Sequence, residues 1–211
     1  MTNQWIFLGY YICRCEECPK YLNNLSDMIL SVSDCMCTHE PQIDLSHGWK
    51  PNGDNKDYID KNFECTADYL RMSEEINRLF NNNQFFIDGR FLRFDDAKYF
   101  FDTYFNSGDY KLIVARMATK YKELLCDDFA MNNECTYENL YEQLGCDIIG
   151  WDISGFHSFL CNSLQENYPN LRFNKYGLIN EDYSVAEDIA MEIQGKGEPV
   201  EWIPVEILLC N

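Results

Sequence analysis

The stretch QWIFLGYYI (residues 4–12) is dense in aromatic and β-branched side chains and carries no charge. A short run of this composition is typical of a strand with both faces buried. CDIIGWDIS (146–154) has the same character, and YKLIVARM (110–117) and VEWIPVEILLC (200–210) also read as strands. The sequence therefore predicts a sheet at the centre of the fold.

The last of these strands contains a proline, Pro204. Proline has no amide hydrogen to donate to a neighbouring strand, so it is found mainly on edge strands or at bulges. We therefore expect residues 200–210 at a sheet edge or with a bulge at Pro204.

Two of the predicted strands share a local pattern. FLGYYIC (7–13) and IIGWDIS (148–154) each have an apolar pair, Gly, an aromatic residue, a variable position and Ile. The pattern records either a duplicated strand motif or a coincidence of loosely matched positions. No period of solenoid length accompanies it.

Helical periodicity alternates with the strands. Tyr69, Met72 and Ile76 recur on one helix face, and Ser184 with Glu187 forms a capping box before a second amphipathic run. Asp88 is followed by Gly89, a dipeptide typical of a tight hairpin turn. The predicted helices are 66–80, one capped by Asp95, 119–129, 137–144 capped by Thr136 and stopped by Gly145, one from Phe156 to Leu164, and one from Ser184 ended by Gly195. The alternation predicts an α+β fold, with a mixed or mainly antiparallel sheet and flanking helices.

The chain length fits one domain. The 211 residues are 46% apolar, which supplies enough material for one core, so residues 1–211 are predicted to form a single α+β domain. The regular alternation is interrupted by a cysteine-rich stretch and by the polar run HGWKPNGDNKDY (47–58). Residues 13–58 are therefore predicted to be a Cys-rich insertion or a long loop within the domain.

The N-terminal apolar run, Trp5 to Cys13, lacks the features of a targeting segment. No Lys or Arg precedes it, no small-residue cleavage site follows it, and it is too short to span a bilayer. We therefore expect a cytoplasmic protein. A reducing compartment disfavours disulfides, and the odd number of cysteines, 11, leaves at least one thiol unpaired in a monomer.

The charge is strongly negative, with 17 basic residues against 35 acidic ones and a net charge of −18. A field of this sign repels nucleic acid and anionic membranes and attracts a basic protein. The basic residues do not cluster, which argues further against direct nucleic-acid binding. The alternative interpretation is that the acidity serves solubility alone.

The cysteines near the N-terminus suggest a metal site. Zinc takes four soft or borderline ligands, and Cys15 and Cys18 have the two-residue spacing of a zinc knuckle. The candidate ligands are Cys13, Cys15, Cys18, Cys35, Cys37 and His39. Because six candidate residues compete for four ligand positions, the sequence does not determine which four would bind the metal. The hypothesis is a closed structural zinc, and the alternative is a group of free thiols.

Catalytic patterns are sparse. The sequence contains three histidines, and none of the common nucleophile-elbow, phosphate-loop or zinc-protease motifs. His157 lies near Cys161, which suggests a base and a nucleophile, but a histidine at the start of the predicted helix is the simpler interpretation. An enzyme is the less favoured class.

The C-terminal half carries a resemblance. GWDIS (150–154), SFLCNSL (158–164), FNKYGLI (173–179) and VAEDIAMEI (185–193) together resemble small bacterial immunity proteins of polymorphic toxin loci. The resemblance covers about residues 146 to 193. It implies a cytosolic binder that neutralises a toxin by occupying its active site, without catalysis of its own.

Where that match extends, four residues are candidates for a partner-binding rim: Trp151, Asp152, Phe156 and His157. They mix aromatic anchors with a charge, as binding hot spots do. The alternative is that Trp151 and Phe156 belong to the core and that Asp152 is merely exposed.

Three functional hypotheses follow. The first is an acidic, immunity-type inhibitor of a protein toxin or another basic protein. The second is an acidic mimic of nucleic acid that acts on a DNA-binding protein. The third is a zinc- or thiol-dependent enzyme, which would require His157, Cys161 and the N-terminal cysteines to converge. The first is favoured because it agrees with both the charge and the resemblance.

Overall fold

The computed structural model describes residues 5–14, 16–17, 28–29, 67–84, 90–106, 110–124, 141–152, 155–158, 167–180, 182–196 and 200–210. The strands are β1 (Trp5–Arg14), β2 (Glu16–Glu17), β3 (Met28–Ile29), β4 (Tyr110–Ala118), β5 (Tyr141–Asp152), β6 (Gly155–Ser158) and β7 (Glu201–Cys210). The helices are α1 (Ala67–Asn81), α2 (Phe94–Tyr104) and α3 (Tyr183–Ile193), and a 3-10 helix spans Thr119–Leu124. The fold is α+β, as the alternation predicts.

The main sheet is antiparallel throughout and has the strand order β1-β4-β7-β5-β6 within the described residues. A separate short ladder joins β2 to β3. β1 and β4 are buried along most of their length, which explains why both read as continuous apolar runs. β7 lies between β4 and β5, at the centre of the sheet.

The central position of β7 shows that the expected edge location of residues 200–210 is wrong. The β4–β7 ladder runs from Ile113 opposite Leu209 to Arg116 opposite Glu206 and ends there. Beyond it, the Tyr183 hydroxyl accepts a hydrogen bond from the Ala118 amide at 3.0 Å and donates one to the Pro204 carbonyl at 2.8 Å. A side chain of α3 thus joins the strands where proline cannot.

Two strands contain equivalent bulges. The register of β1 shifts between Phe7 and Gly9, and that of β5 shifts between Gln143 and Gly145. Directly after each bulge, one residue pairs with a segment outside the sheet: Tyr10 exchanges two backbone hydrogen bonds with Phe91, and Cys146 exchanges two with Ile179. The two strands therefore use the same local construction.

The same construction extends through both halves of the chain. We call β1, α1, α2 and β4 the first half, and β5, β6, α3 and β7 the second half. In each half, the residue that pairs with the bulged strand from outside the sheet, Phe91 or Ile179, is followed by a helix of 11 residues and then by a central strand. Gly9 lies opposite Ala115, Gly145 lies opposite Ile207, and Ala115 and Ile207 face each other across the β4–β7 ladder. The halves are thus related by a pseudo-two-fold operation centred on this pair.

This relationship differs in alignment from the pattern seen in the sequence. The sequence pattern aligns Gly9 with Gly150, whereas the registers align Gly9 with Gly145. Gly150 has another role: a Cβ placed there would lie 2.6 Å from Val200 Cγ2, so the glycine allows close packing against the start of β7.

The helices lie over one face of the sheet. Met72 and Ile76 of α1 and Phe100 of α2 pack on the first half, in a cluster that includes Val114 and Leu208. Ala186 and other residues of α3 pack on the second half with Trp202 of β7. The opposite face is also buried, with Ile113 and Val205 inaccessible to solvent.

Two predicted helices are wrong. Residues 141–144 of the predicted helix 137–144 belong to β5, and Gly145 lies at the bulge rather than at a helix end. Gly155–Ser158 forms β6, so the helix predicted from Phe156 does not begin there. Both segments pair with neighbouring strands, and this pairing outweighs local helix propensity.

Other details of the helices also differ from prediction. Residues 119–124 form a 3-10 helix rather than an α-helix. Arg93 and Asp182 are the residues before α2 and α3, and neither supplies a side-chain cap, so Asp95 and Ser184 are not N-caps. The Asp88-Gly89 turn lies outside the described residues, although the Leu92 amide donates to the Gln84 carbonyl at 3.1 Å.

Candidate binding surface

The four residues of the predicted rim lie in one hairpin. Trp151 of β5 is directly opposite Phe156 of β6, Asp152 is opposite Gly155, and His157 is opposite Gly150. Because successive positions alternate between the faces of a sheet, positions 151 and 156 belong to one face and positions 152 and 157 to the other. The structure therefore brings the four residues into one hairpin but divides them between two faces. His157 lies in a strand and does not cap a helix.

The hairpin adjoins the end of α3. Trp151 is paired on its other side with Glu201 of β7. The Gln194 side chain, just after α3, donates to Glu201 Oε2 at 2.6 Å and accepts from the Trp202 amide at 3.0 Å. These bonds fix the C-terminal end of α3 against the strand that borders the hairpin.

The outer side of α3 is acidic and has an apolar centre. Met191 is 62% exposed, more than the other exposed large apolar side chains whose burial the structure describes, Phe80, Tyr99 and Leu124. Asp188 and Glu192 are exposed on the same helix, and Glu201 is exposed next to its end. We call Met191, Asp188, Glu192 and Glu201 the α3 surface.

Two lysines lie near the α3 surface. Lys196 Nζ is 3.6 Å from Glu192, and both side chains are exposed, so this pair is weak. Lys120 Nζ is 2.9 Å from Glu187, and this hydrogen bond raises the pKa of Lys120. Glu187 is thereby compensated, whereas the carboxylates around Met191 keep most of their negative field.

A charged pair lies beneath α3. Arg116 of β4 forms an ion pair with Glu206 of β7, and its guanidinium carbon lies 4.2 Å from the ring centroid of Trp5. Trp5 in turn meets Tyr183 edge to face, with centroids 4.9 Å apart. Burial raises the pKa of Tyr183, although the hydrogen bond from the Ala118 amide opposes that rise.

The Cys146 thiol, next to the ion pair of Arg116 and Glu206, has low reactivity. Cys146 lies opposite Glu206 and is fully buried. Burial, followed by the negative charges of Glu206 and Asp147, raises the pKa of the Cys146 thiol to about 12. A buried thiol with so high a pKa is a poor nucleophile near neutral pH, because the thiolate is the reactive form.

The predicted zinc ligands fall mostly outside the described residues. This applies to Cys15, Cys18, Cys35, Cys37 and His39, and also to Cys161, the thiol considered with His157. Cys13 is the described member of the set; it lies in β1, fully buried among apolar side chains. No group of three or more His, Cys, Asp or Glu side chains with metal-binding geometry occurs among the described residues. Zinc binding stays a prediction.

The α3 surface was missed at the sequence level, although the sequence contains its signal. Ala186, Ile189 and Ile193 follow the helical period and are buried. Met191 lies two positions from both isoleucines, and residues two apart on a helix do not share a face. A bulky apolar residue off the core stripe of an acidic helix is therefore recognisable from spacing alone.

No protein-family model matches this chain, and neither the comparison with curated proteins nor that with solved structures finds a match. Within the part of the chain that the structure describes, no helix is both long enough and apolar enough to cross a membrane.

Proposed function

We propose that this chain is a non-catalytic, acidic binding protein that neutralises a basic toxin by covering its active site, with the α3 surface and the adjoining hairpin as the contact. The observation that carries the proposal is Met191, which is 62% exposed among carboxylates. Methionine is enriched and aspartate and glutamate are depleted at the centres of interfaces, so a central methionine with an acidic rim has the layout of a binding site.

The charges and the methionine have separate tasks in this proposal. Asp188, Glu192 and Glu201 steer a cationic partner during encounter and raise the association rate. Met191 supplies apolar area whose burial stabilises the complex once it forms. Full burial of one such side chain contributes about 1.5–3 kcal/mol.

The hairpin extends this contact in the proposed complex. Position 151 is next to Glu201 in the β5–β7 register, and Gln194 connects Glu201 to α3. Ile148 and Trp202 pack with α3, so the alternation along β5 and β6 puts positions 152 and 157 on the α3 side of the sheet, where the same partner surface can reach them. The register places positions 151 and 156 on one face of the hairpin and positions 152 and 157 on the other. We therefore propose that only one of these two pairs contacts the partner directly.

The proposal assigns no catalytic step to this chain. In its support, Cys146 holds its proton well above neutral pH, which removes one buried nucleophile from consideration. The alternative class, a thiol or zinc enzyme, requires residues outside the described ranges.

Co-purification tests the proposal. The tagged chain is expressed together with the product of the adjacent gene, and the complex is isolated at about 150 mM salt, where exposed charges more than about 8 Å apart are largely screened. We expect a stoichiometric complex with a chain that is toxic when expressed alone. The absence of a complex, with a harmless neighbouring product, would contradict the proposal.

A matched pair of variants tests the surface. Met191→Arg places a long cation at the centre of the α3 surface and is expected to weaken the complex at least about tenfold, a change of about 1.4 kcal/mol. Thr103→Arg introduces the same side chain at an exposed position of α2 and is expected to leave affinity unchanged. Equal affinity of both variants, measured by calorimetry, would show that binding uses another face.

A further inference from the structure

The ion pair between Arg116 and Glu206 lies in the central strand pair, next to the pseudo-two-fold centre. Its side chains are 18% and 5% exposed. Burying two charges carries a large desolvation cost, and replacing such a pair by apolar residues of similar volume is often neutral or stabilising. Its presence therefore calls for a reason other than stability.

The symmetry-related position in the same strand pair provides an internal comparison. The pseudo-two-fold operation takes the pair Arg116–Glu206 onto the pair Leu208–Val114. These two residues are buried, and both belong to the apolar cluster beneath α1 and α2. Two equivalent places in the fold are thus filled by an apolar pair beneath α1 and α2 and by a charged pair beneath α3. The architecture by itself does not require the charges.

Near-equivalent halves create a specific risk of mispairing. β4 and β7 occupy equivalent places, so β4 of one copy could pair with β4 of another copy in the same geometry, and β7 with β7. If the β4–β4 ladder keeps the register of the observed β4–β7 ladder, it is centred on Ala115. Arg116 of each copy then lies opposite Val114 of the other copy. The β7–β7 ladder likewise places Glu206 opposite Leu208.

We propose that the Arg116–Glu206 pair is a pairing-specificity device, which makes the first half join the second half of the chain rather than a like half of another copy. In the native arrangement the two charges neutralise each other, and Arg116 also stacks on Trp5. In either like-with-like ladder each charge is buried against an apolar residue without its partner. An unpaired buried charge is strongly unfavourable, whereas the native pair roughly balances its own desolvation.

Refolding of the full chain tests the proposed effect of the Arg116–Glu206 pair on strand pairing. The full chain is unfolded in denaturant with reductant and refolded at concentrations from about 1 to about 100 μM, the range in which association competes with folding. Light scattering after size-exclusion chromatography gives the dimer fraction. R116L/E206V copies the symmetry-related apolar pair, Leu208 and Val114, and makes the two pairs of the central ladder alike. R116E/E206R reverses both charges, keeps them complementary and is the matched control.

We expect R116L/E206V to fold with a denaturation midpoint equal to or above that of the parent chain, and to give at least about threefold more dimer at the highest concentration. R116E/E206R, which keeps the complementary charges but loses the stacking of Arg116 on Trp5, should give the dimer fraction of the parent. If R116L/E206V does not refold, the uncharged and nearly isosteric R116M/E206Q replaces it, with the same expectation.

Adding A115C identifies the pairing, because a β4–β4 ladder centred on this position brings two copies of residue 115 together. After the reductant is removed and the R116L/E206V dimer is oxidised in air, we expect a disulfide between the two copies of residue 115, detected by mass spectrometry. A dimer fraction equal to that of the parent would overturn the proposal. So would a dimer that forms neither this link nor the corresponding link when I207C, at the centre of a β7–β7 ladder, replaces A115C.

Discussion

The side chain of Arg90 crosses β1 directly over Gly9. A Cβ at Gly9 would lie 2.2 Å from Arg90 Cγ, and Gly9 has a φ of 150°. Arg90 Nη1 donates to the Leu8 carbonyl at 3.1 Å, and the residue is fully buried. The bulge turns this carbonyl out of the β1–β4 ladder, and the arginine satisfies it. Glycine is therefore required at this position for two reasons: its backbone angle and its lack of a side chain.

The second bulge is built in the same way. Asn174 Nδ2 donates to the carbonyl of Leu144, the bulge residue of β5. A Cβ at Gly145 would lie 2.9 Å from that nitrogen. The Asn174 Oδ1 also accepts from the amides of Tyr176 and Leu178, at 2.8 and 3.3 Å. Each half thus uses one polar side chain to satisfy its own bulge.

Gly9→Ala should destabilise the fold by about 3 kcal/mol, because it combines steric overlap with an unfavourable backbone angle. Gly195→Ala is the control: its φ is +76°, but a Cβ there meets nothing within 4 Å, so the backbone angle alone should cost about 1 kcal/mol. Chemical denaturation with reductant measures both. Equal effects would show that the overlap with Arg90 is relieved at no cost.

Tyr183→Phe should cost about 3 kcal/mol, because it leaves the Ala118 amide and the Pro204 carbonyl without the hydroxyl that joins them. Tyr99→Phe, which loses a hydroxyl contact of 3.4 Å at a half-exposed residue, should change stability by less than about 0.5 kcal/mol. Denaturant midpoints distinguish the two. A small effect of Tyr183→Phe would mean that the strands can pair without this bridge.

The Cys146 thiol should make stability fall with pH. Its folded pKa is about 12 against an ordinary value of 9.0, so between these values the unfolded chain has lost a proton that the folded chain keeps. The contribution is complete below pH 9 and decreases by up to about 1.4 kcal/mol per pH unit above it. The parent chain should therefore lose more stability between pH 8 and 10 than Cys146→Ala does. Parallel profiles would contradict the raised pKa.

If the N-terminal cysteines bind zinc, chelator-free protein should contain about one equivalent of the metal, and Cys15→Ser with Cys18→Ser should remove it. Cys146→Ala should retain it, because Cys146 is not one of the candidate ligands. Metal analysis with a free-thiol titration gives the result. Less than about half an equivalent in the parent chain, together with freely titrating thiols, would reject the site.

Much of the secondary structure could be predicted from the sequence because its causes are local. The apolar runs around Tyr11, Ile113 and Ile207 are buried strands, and the helical periods through Ile76 and Ile189 are helices that begin within one residue of the predicted positions. A period of apolar residues reports directly which face is buried, whatever the partner is.

The candidate site could be predicted only in part. The resemblance directed attention to Trp151 and Phe156, and the structure places them directly opposite each other. The helical assignment of Phe156 was wrong because a short run such as 155–158 becomes a strand only when a partner strand is present. The link to Glu201 depends on the β5–β7 register, which no local pattern specifies.

The sequence by itself determined the composition of the strands, the faces of the helices and the sign of the charge, because each depends on residue type and spacing. Tertiary structure alone decided that β7 lies in the centre despite Pro204, since the hydroxyl that compensates for the proline comes from Tyr183, 21 residues earlier in the chain. It also decided that Arg116 meets Glu206 across 90 positions. Such pairings depend on which strands become neighbours, and that choice is made by the free energy of the whole core.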